Sequence, residues 1–466
     1  MAIVEEVAAS GAGLSSPADL LKRVEELSEK LALPRELVVG FMAQPDADAI
    51  YRYRIRALNT VKGIKDVLKE GASAWGEIAA EDQLKAVESV LRLNGDDEWS
   101  SYEIRAMIDD LLPVLSPSIP LLILPTLRQY FASHPSLTSA SRALERPRGG
   151  QDSTIDLHDH QPFKSPAGWG VINLLAFAIS KLTADQTEKN IGLIIPPTLV
   201  LMDDWEPCYR QKGARILSIW MDKLDRDLIK RMGIDKLLLD SLIHTISLNS
   251  NPPLGDVLDI TLKLTFRCRE EGEKRTKVLE DIMEKGIVQG WVYAPSGLEG
   301  REVSIHIARM MERMCGVMGT GITRWLKTVI PHLLQPLQYP PTPLVIPHYL
   351  ANLSCLLCVV HTVRPTCRIS RWRGQILNVL SRLWVQLHER GLSSSLDDVD
   401  DGDEEDSEGS DEGDVRGNSH TKTQLQTLIR QVFDELIDQI PSIREDELPR
   451  IRALAPHIFA ELIPTA

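Results

Sequence analysis

The sequence predicts an all-α fold built as an extended array of paired helices, and three observations predict it. Leu, Ala, Ile, Glu, Arg and Lys dominate, while Phe, Trp and Tyr together make up only 5%, a balance that favours helix over strand. Apolar residues recur at helical spacing through most of the 466 residues and almost nowhere alternate with polar ones as half-buried strands require. The helical segments are joined by short Pro, Gly, Asn or Asp turns, the layout of helix pairs stacked on their neighbours rather than gathered into one bundle. The predicted class is an α-solenoid of degenerate repeats.

In chain order, residues 1–16 are small and weakly patterned, and read as a flexible N-terminus. Residues 17–132 read as N-terminal helical repeats. Ser16-Pro17-Ala18-Asp19 sets a capping side chain before a proline at the first helical position, and Leu20, Leu21, Val24, Leu27 and Leu31 follow on one face. Further helices are predicted over 46–70, 80–93, 98–112 and 119–132. Residues 133–168 lose the rhythm, with Pro135, Pro147, Gly149, Gly150, Pro162, Pro166 and Gly168, and read as a long loop. From Trp169 the helical pattern resumes and runs through 169–390. Its turns are predicted near Pro196-Pro197, Gly233, Asn251-Pro252-Pro253, Gly297–Gly300, Pro331, Pro340-Pro341-Thr342-Pro343 and Pro365.

Residues 391–421 are low in complexity and strongly acidic, the composition of a self-repelling disordered linker. Ser395, Ser407 and Ser410 lie beside or among its acids and are candidate phosphorylation sites, where added charge would address an Arg/Lys-rich partner. Residues 422–466 read as C-terminal amphipathic helices. Leu425, Leu428, Ile429, Val432, Phe433, Leu436, Ile437 and Ile440 make the strongest single stripe in the chain.

Charge narrows the partners. The net charge is −14, yet the twelve acids between Asp397 and Asp414 account for all but −2 of it. Nothing resembles a basic face for a phosphate backbone, so nucleic acid is not expected as a partner. Six cysteines suggest no disulfide framework. The start, Met1-Ala2-Ile3-Val4-Glu5-Glu6, lacks the basic-then-apolar layout of a signal peptide. The apolar runs Trp169–Ile179 and Leu350–Val360 are shorter than the roughly 18–20 residues of a membrane span. Leu111–Leu127 is broken by Pro113, Pro117, Pro120 and Pro125. The expectation is a chain without membrane contact, cytoplasmic, with the nucleus as a second compartment.

The most informative stretch runs from Pro197 to Leu217. Asp203-Asp204 is followed six positions after Asp204 by Arg210, then Lys212-Gly213, then the apolar pair Ile216-Leu217. HEAT repeats carry Pro and Leu down a first helix, an Asp at the turn, a basic residue six positions on, a small residue three further and an apolar pair. Gly213 would let two helices approach closely. Asp204 would cap the second helix and meet Arg210, or its counterpart, in a polar ladder. The period of about 40 residues is not repeated cleanly elsewhere, so the array is HEAT/armadillo-like with degenerate repeats.

On those residues the chain resembles the Tel-two-interacting protein two family. Asp203-Asp204 and Lys212-Gly213 are the most recognisable elements, and Trp325–Leu334 continues the resemblance more weakly, over about 190–390 in all. The resemblance implies a subunit of the trimeric TTT complex, with a large helical-repeat Tti partner and a Tel-two protein. It further implies a non-catalytic co-chaperone adaptor that works beside the heat-shock chaperone machinery to mature and stabilise PI3-kinase-related kinases. It brings no catalytic residue and no cofactor.

Other motifs yield less. Cys355-Leu356-Leu357-Cys358, with His361 and Cys367 nearby, could be imagined as a zinc site, but cysteine within an apolar helix behaves as a small hydrophobe. His158-Asp159-His160, near Asp152 and Asp156, reads as solvated loop. Gly316-Val317-Met318-Gly319-Thr320-Gly321 lacks the Lys-Ser/Thr and the preceding strand of a phosphate loop, and reads as a helix-to-helix turn. No metal, cofactor or catalytic residue is predicted. A transport or nuclear-import adaptor is the alternative, and would call for an Asn/Trp or acidic ladder along several repeats. An enzyme would call for a convergent polar pocket.

Overall fold

The first helix starts where its cap places it. Ser16 accepts the Asp19 N–H at 3.2 Å and Pro17 takes the first position of α1 (Pro17–Glu29), since neither residue removes a donor the helix needs. The computed structural model describes residues 16–37, 46–131, 161–295, 297–389 and 412–463, and there is no β-strand among them. The protein is all-α. The chain divides into two units, Met1–Gly233 and Ile234–Ala466.

In the first unit, α1 packs on α2 (Ala47–Glu70) and α3 (Ala80–Arg92), and α2 on α4 (Tyr102–Leu111). Leu20 and Val24 of α1 are fully buried, as are Ala57, Val61 and Ile64 of α2. Asp46 and Ser101 cap α2 and α4 by accepting the N–H of Asp48 (3.1 Å) and Ile104 (3.3 Å). Next, α5 (Ile119–Thr126) and α6 (Val171–Lys181) pack on α3 and on each other, and α8 (Pro207–Met221) lies against α6 and α7 (Ile191–Met202). Of the predicted loop, residues 161–168 form two 3-10 turns, Pro162–Lys164 and Pro166–Gly168. His158, Asp159 and His160 lie outside the described residues.

Pro196-Pro197 is not a turn. Both prolines lie inside α7, although each removes a donor and an interior proline costs about 3 kcal/mol. The helix buries Ile194, Pro197, Leu201 and Met202, and full burial of an aliphatic side chain is worth about 1.5–3 kcal/mol. Tertiary packing overrides the local signal.

In the second unit, α9 (Ile234–Ser247) pairs with α10 (Val257–Cys268), and α11 (Glu273–Asp281) runs into one π-helical stretch, Ile282–Val288. α12 (Leu298–Met318) ends at Gly319, whose φ is +52°, and a 3-10 segment leads into α13 (Leu326–Leu334). The Gly316–Gly321 stretch is thus a helix end and a connection. Pro331, expected at a turn, lies inside α13, where burial of Val329, Ile330, Leu333 and Leu334 holds the helix. α14 (Ile346–Thr362) is the centre of the unit, with α12 and α16 (Glu412–Gln439) packed along it and α15 (Arg373–Glu389) on α16.

The stripe of α16 buries Leu425, Ile429, Val432, Phe433 and Leu436. The helix begins at Glu412, inside the stretch read as linker. Ser395, Ser407 and Ser410 lie outside the described residues. Pro343–Thr362 is long and apolar enough by composition to cross a membrane, at 20 residues and mean hydropathy 1.7, and so exceeds the Leu350–Val360 run seen in sequence. In the fold α14 is the helix on which α12 and α16 converge, with Ile346, Leu353, Leu356, Val359 and Val360 buried.

Candidate functional site

The residues singled out in sequence meet at the α7–α8 turn. Gly213 stands where α8 crosses α7: an added Cβ would lie 2.7 Å from the Met202 amide nitrogen and 2.9 Å from Leu201 Cβ. The two helices touch through backbone, and only glycine fits there. Asp203 ends α7 and is exposed, whereas the Asp204 carboxylate is fully buried.

Asp204 does not cap α8 from the N-cap position, which belongs to Glu206. It closes the turn instead: its Oδ1 accepts the Glu206 N–H at 2.8 Å and receives the Lys164 ammonium at 2.8 Å. Lys164 also reaches Glu206 Oε1 at 2.7 Å. Arg210 is buried and donates to the carbonyl oxygens of Asp204 (3.2 Å) and Trp205 (3.1 Å), and burial pulls its pKa down. The buried ammonium that meets Asp204 therefore comes from Lys164, 40 positions earlier.

Lys164 is held by aromatic faces as well, with its Nζ 4.6 Å from the Tyr209 ring centre and 5.4 Å from that of Trp205. Phe163 stacks on Phe131 at 5.2 Å and meets the Tyr209 edge at 5.4 Å. Burial pushes the Tyr209 phenol up, and the Glu206 carboxylate pushes it further.

Lys212 points the other way along α8 and pairs with Asp97, on the segment after α3. Asp97 also accepts from Asn173 Nδ2 at 2.6 Å, and the same amide nitrogen donates to the Arg92 carbonyl at 2.8 Å. Arg92 completes the frame. Its guanidinium holds Glu88 (2.7 Å) and the carbonyls of Ala167 (2.9 Å) and Trp169 (2.7 Å). The segment 161–170 is thereby fastened at one end to α3 and at the other to the α7–α8 turn.

A cavity of about 110 Å³ lies among these groups, lined by Trp99, Lys164, Trp169, Glu206, Tyr209 and Lys212. Both lysines are engaged by carboxylates, and the indole N–H of Trp99 is buried without a hydrogen-bond partner among the described residues. Sequence spacing picks out Asp203, Asp204, Arg210, Lys212 and Gly213. It misses Lys164, Asp97, Asn173, Arg92 and Glu206, because each of these ties is long-range or depends on the turn itself.

Among the described residues no group of three or more His, Cys, Asp or Glu is placed to hold a metal. Cys355 is buried in α14, Cys358 half-buried and Cys367 exposed.

By class this is an all-helical protein whose first unit is tied by buried charges joining helices distant in sequence. The chain belongs to the Tti2 family, whose model matches residues 86–344. Membership makes it, broadly, a subunit of the TTT complex. The match begins well before the 190–390 region of the sequence resemblance and takes in Arg92, Asp97, Lys164 and Asn173, the partners of the Asp204–Lys212 motif; it ends before α14. No curated protein and no solved structure matches the chain.

Proposed function

We propose that the chain is a non-catalytic adaptor of a TTT-type co-chaperone complex. In this reading it forms a heterotrimer with a large helical-repeat Tti partner and a Tel-two protein. The assembly supports maturation and stability of PI3-kinase-related kinases beside heat-shock chaperone machinery, in the cytoplasm and the nucleus. The observation that carries the proposal is the family match over 86–344.

Two features support the adaptor reading. The α7–α8 pair, with Asp204 at its turn and Gly213 at its crossing, suits a HEAT-like repeat, and we place the helix pairs in a degenerate solenoid on that ground. The charged groups of the first unit hold its own helices, while large apolar side chains such as Tyr293, Tyr339 and Leu344 stay exposed at 74%, 63% and 68%. Large exposed apolar side chains of this kind suit protein–protein contact.

The test is recovery of the tagged chain from extract of its own cells, read by mass spectrometry. A giant helical-repeat protein and a Tel-two protein are expected in comparable amounts, and depletion of the chain is expected to lower the steady-state level of PI3-kinase-related kinases. Recovery of neither partner, with kinase levels unchanged, overturns the proposal.

A further inference from the structure

Five large apolar side chains left exposed in the second unit, Val292, Tyr293, Leu298, Tyr339 and Leu344, lie on the two stretches of chain that wall one cleft. The cleft holds about 540 Å³. One wall is Trp291, Ala294, Pro295 and the first turns of α12; the other is the 335–345 segment and the start of α14. Both walls are fixed from within. The Trp291 ring stacks on His332 of α13 with centres 5.6 Å apart, and the Tyr349 hydroxyl donates to the Tyr339 carbonyl oxygen at 2.9 Å. That bond uses the Tyr339 backbone and leaves its ring 63% exposed.

The charge in the cleft is one-sided. No Asp or Glu is among the described residues that line it, and Arg301 of α12 is half-buried in its wall. Among the described residues the Arg301 guanidinium makes no hydrogen bond and no ion pair. His348 is neutral at pH 7, because burial, then the Arg301 charge, pushes it down to about 4. The cleft therefore offers one permanent positive charge beside apolar and aromatic surface.

These features select an occupant. A phosphate carries about two charges at neutral pH and calls for several cations, whereas one carboxylate matches one guanidinium in charge and in bidentate shape. A free small carboxylate would engage Arg301 and leave Tyr293, Leu298 and Leu344 in water. A polypeptide reaches them as well.

We propose that this cleft binds an extended acidic segment of a partner protein, which sets an Asp or Glu carboxylate on Arg301 and an apolar side chain against Trp291 and Tyr339. The site rests on the adaptor reading, to which it gives a surface and a partner chemistry.

The test replaces Tyr339, whose ring is exposed, with photoreactive benzoylphenylalanine in the tagged full chain in its own cells. After irradiation the chain is recovered and the linked peptide is sequenced by mass spectrometry. The expected adduct joins position 339 to a segment of the helical-repeat Tti partner or of the Tel-two protein that holds an Asp or Glu. Arg301→Glu should lower its yield by about tenfold or more, at a Tm within about 1–2 °C of wild type because no partner group is stranded. Arg382→Glu, at an exposed position of α15, should leave the yield unchanged. Exchanging the mapped acid for Lys should restore the adduct to Arg301→Glu. Should the charge reversal unfold the chain, Arg301→Gln serves in its place, with a smaller loss in the same direction. An adduct as strong in the Arg301 variants as in wild type, a linked segment without an acid, a link to a second copy of this chain, or no adduct while both partners are recovered overturns the proposal and leaves the adaptor reading standing. An Arg301-dependent link to an acidic segment of some other protein supports the cleft and overturns the adaptor reading.

Discussion

Replacing Lys164 with methionine should destabilise the protein chiefly by stranding two buried carboxylates. Methionine keeps most of the length and apolar contact of the lysine stem, so packing against Phe163, Trp205 and Tyr209 changes little. What disappears is the ammonium between Asp204 Oδ1 and Glu206 Oε1, whose side chains are 0% and 7% exposed. Removing one partner of a buried ion pair costs about 3–5 kcal/mol, and the lost cation–π contacts add about 0.5–2 kcal/mol. The total of about 3.5–7 kcal/mol corresponds, at about 2–4 °C per kcal/mol for a unit of this size, to a fall of at least ~7 °C in Tm. Differential scanning calorimetry of the full chain reads it. The decisive comparison is Lys164→Met combined with Asp204→Asn and Glu206→Gln. With every charge gone, the stranded-charge penalty vanishes, and stability should return to within about 1–2 kcal/mol of wild type. The amide oxygen that Asp204→Asn leaves in place can still accept the backbone N–H at position 206. A single variant that melts within about 3 °C of wild type, or a triple variant as unstable as the single, refutes the reasoning.

Gly213→Ala should cost about 1–3 kcal/mol, because the atoms its Cβ would meet include the Met202 backbone; urea unfolding reads the loss as a lower midpoint at unchanged slope. Asp97→Asn and Asp96→Asn form a contrast in adjacent positions. Asp97 is 5% exposed and holds Lys212, so its neutralisation should cost about 3 kcal/mol; Asp96 is 69% exposed and meets Arg105 and Arg215 at the surface, so its loss should stay below about 1 kcal/mol. His348 gives a pH dependence. Burial, then Arg301, lowers it from 6.5 to about 4, so between those values the unfolded chain binds the extra proton and stability rises with pH. It is fully present above pH 6.5 and lost as the pH falls towards 4, by about 1–2 kcal/mol after allowance for partial exposure; His348→Gln should flatten that part of the profile, and an unchanged slope would count against it.

What is legible in the sequence is what short-range spacing encodes. Ser16-Pro17 marks the start of α1, the Leu425–Ile440 stripe marks the buried face of α16, and Gly213 marks a crossing, because each signal lies within a few turns of its cause. The failures have a common physical origin. Pro196-Pro197 and Pro331 read as breaks because the packing that outweighs their missing donors comes from other helices. Proximity along the chain pairs Asp204 with Arg210. The turn does hold Arg210 beside Asp204, with its guanidinium on the Asp204 carbonyl oxygen, and it adds Lys164, distant in sequence, as the ammonium on the Asp204 carboxylate. Lys212 has no legible role without Asp97, 115 positions away.

The two acidic pairs, Asp96-Asp97 and Asp203-Asp204, make the limit concrete and bear on how binding should be tested. In each pair the residues are chemically alike, yet the second is buried and paired while the first is exposed. Adjacent side chains at a turn diverge, so composition cannot rank them. A substitution at Asp97, Lys164 or Asp204 acts first on the fastening between α3, the 161–170 segment and α8, and weakens partner recovery only as far as it lowers the folded fraction. A substitution at an exposed apolar residue such as Tyr293 or Leu344 leaves no charge stranded and creates no cavity, so it should leave Tm within about 1–2 °C of wild type. Loss of a partner at unchanged Tm therefore identifies a binding residue, whereas loss that tracks Tm across the Lys164, Asp97 and Gly213 variants identifies a supporting one.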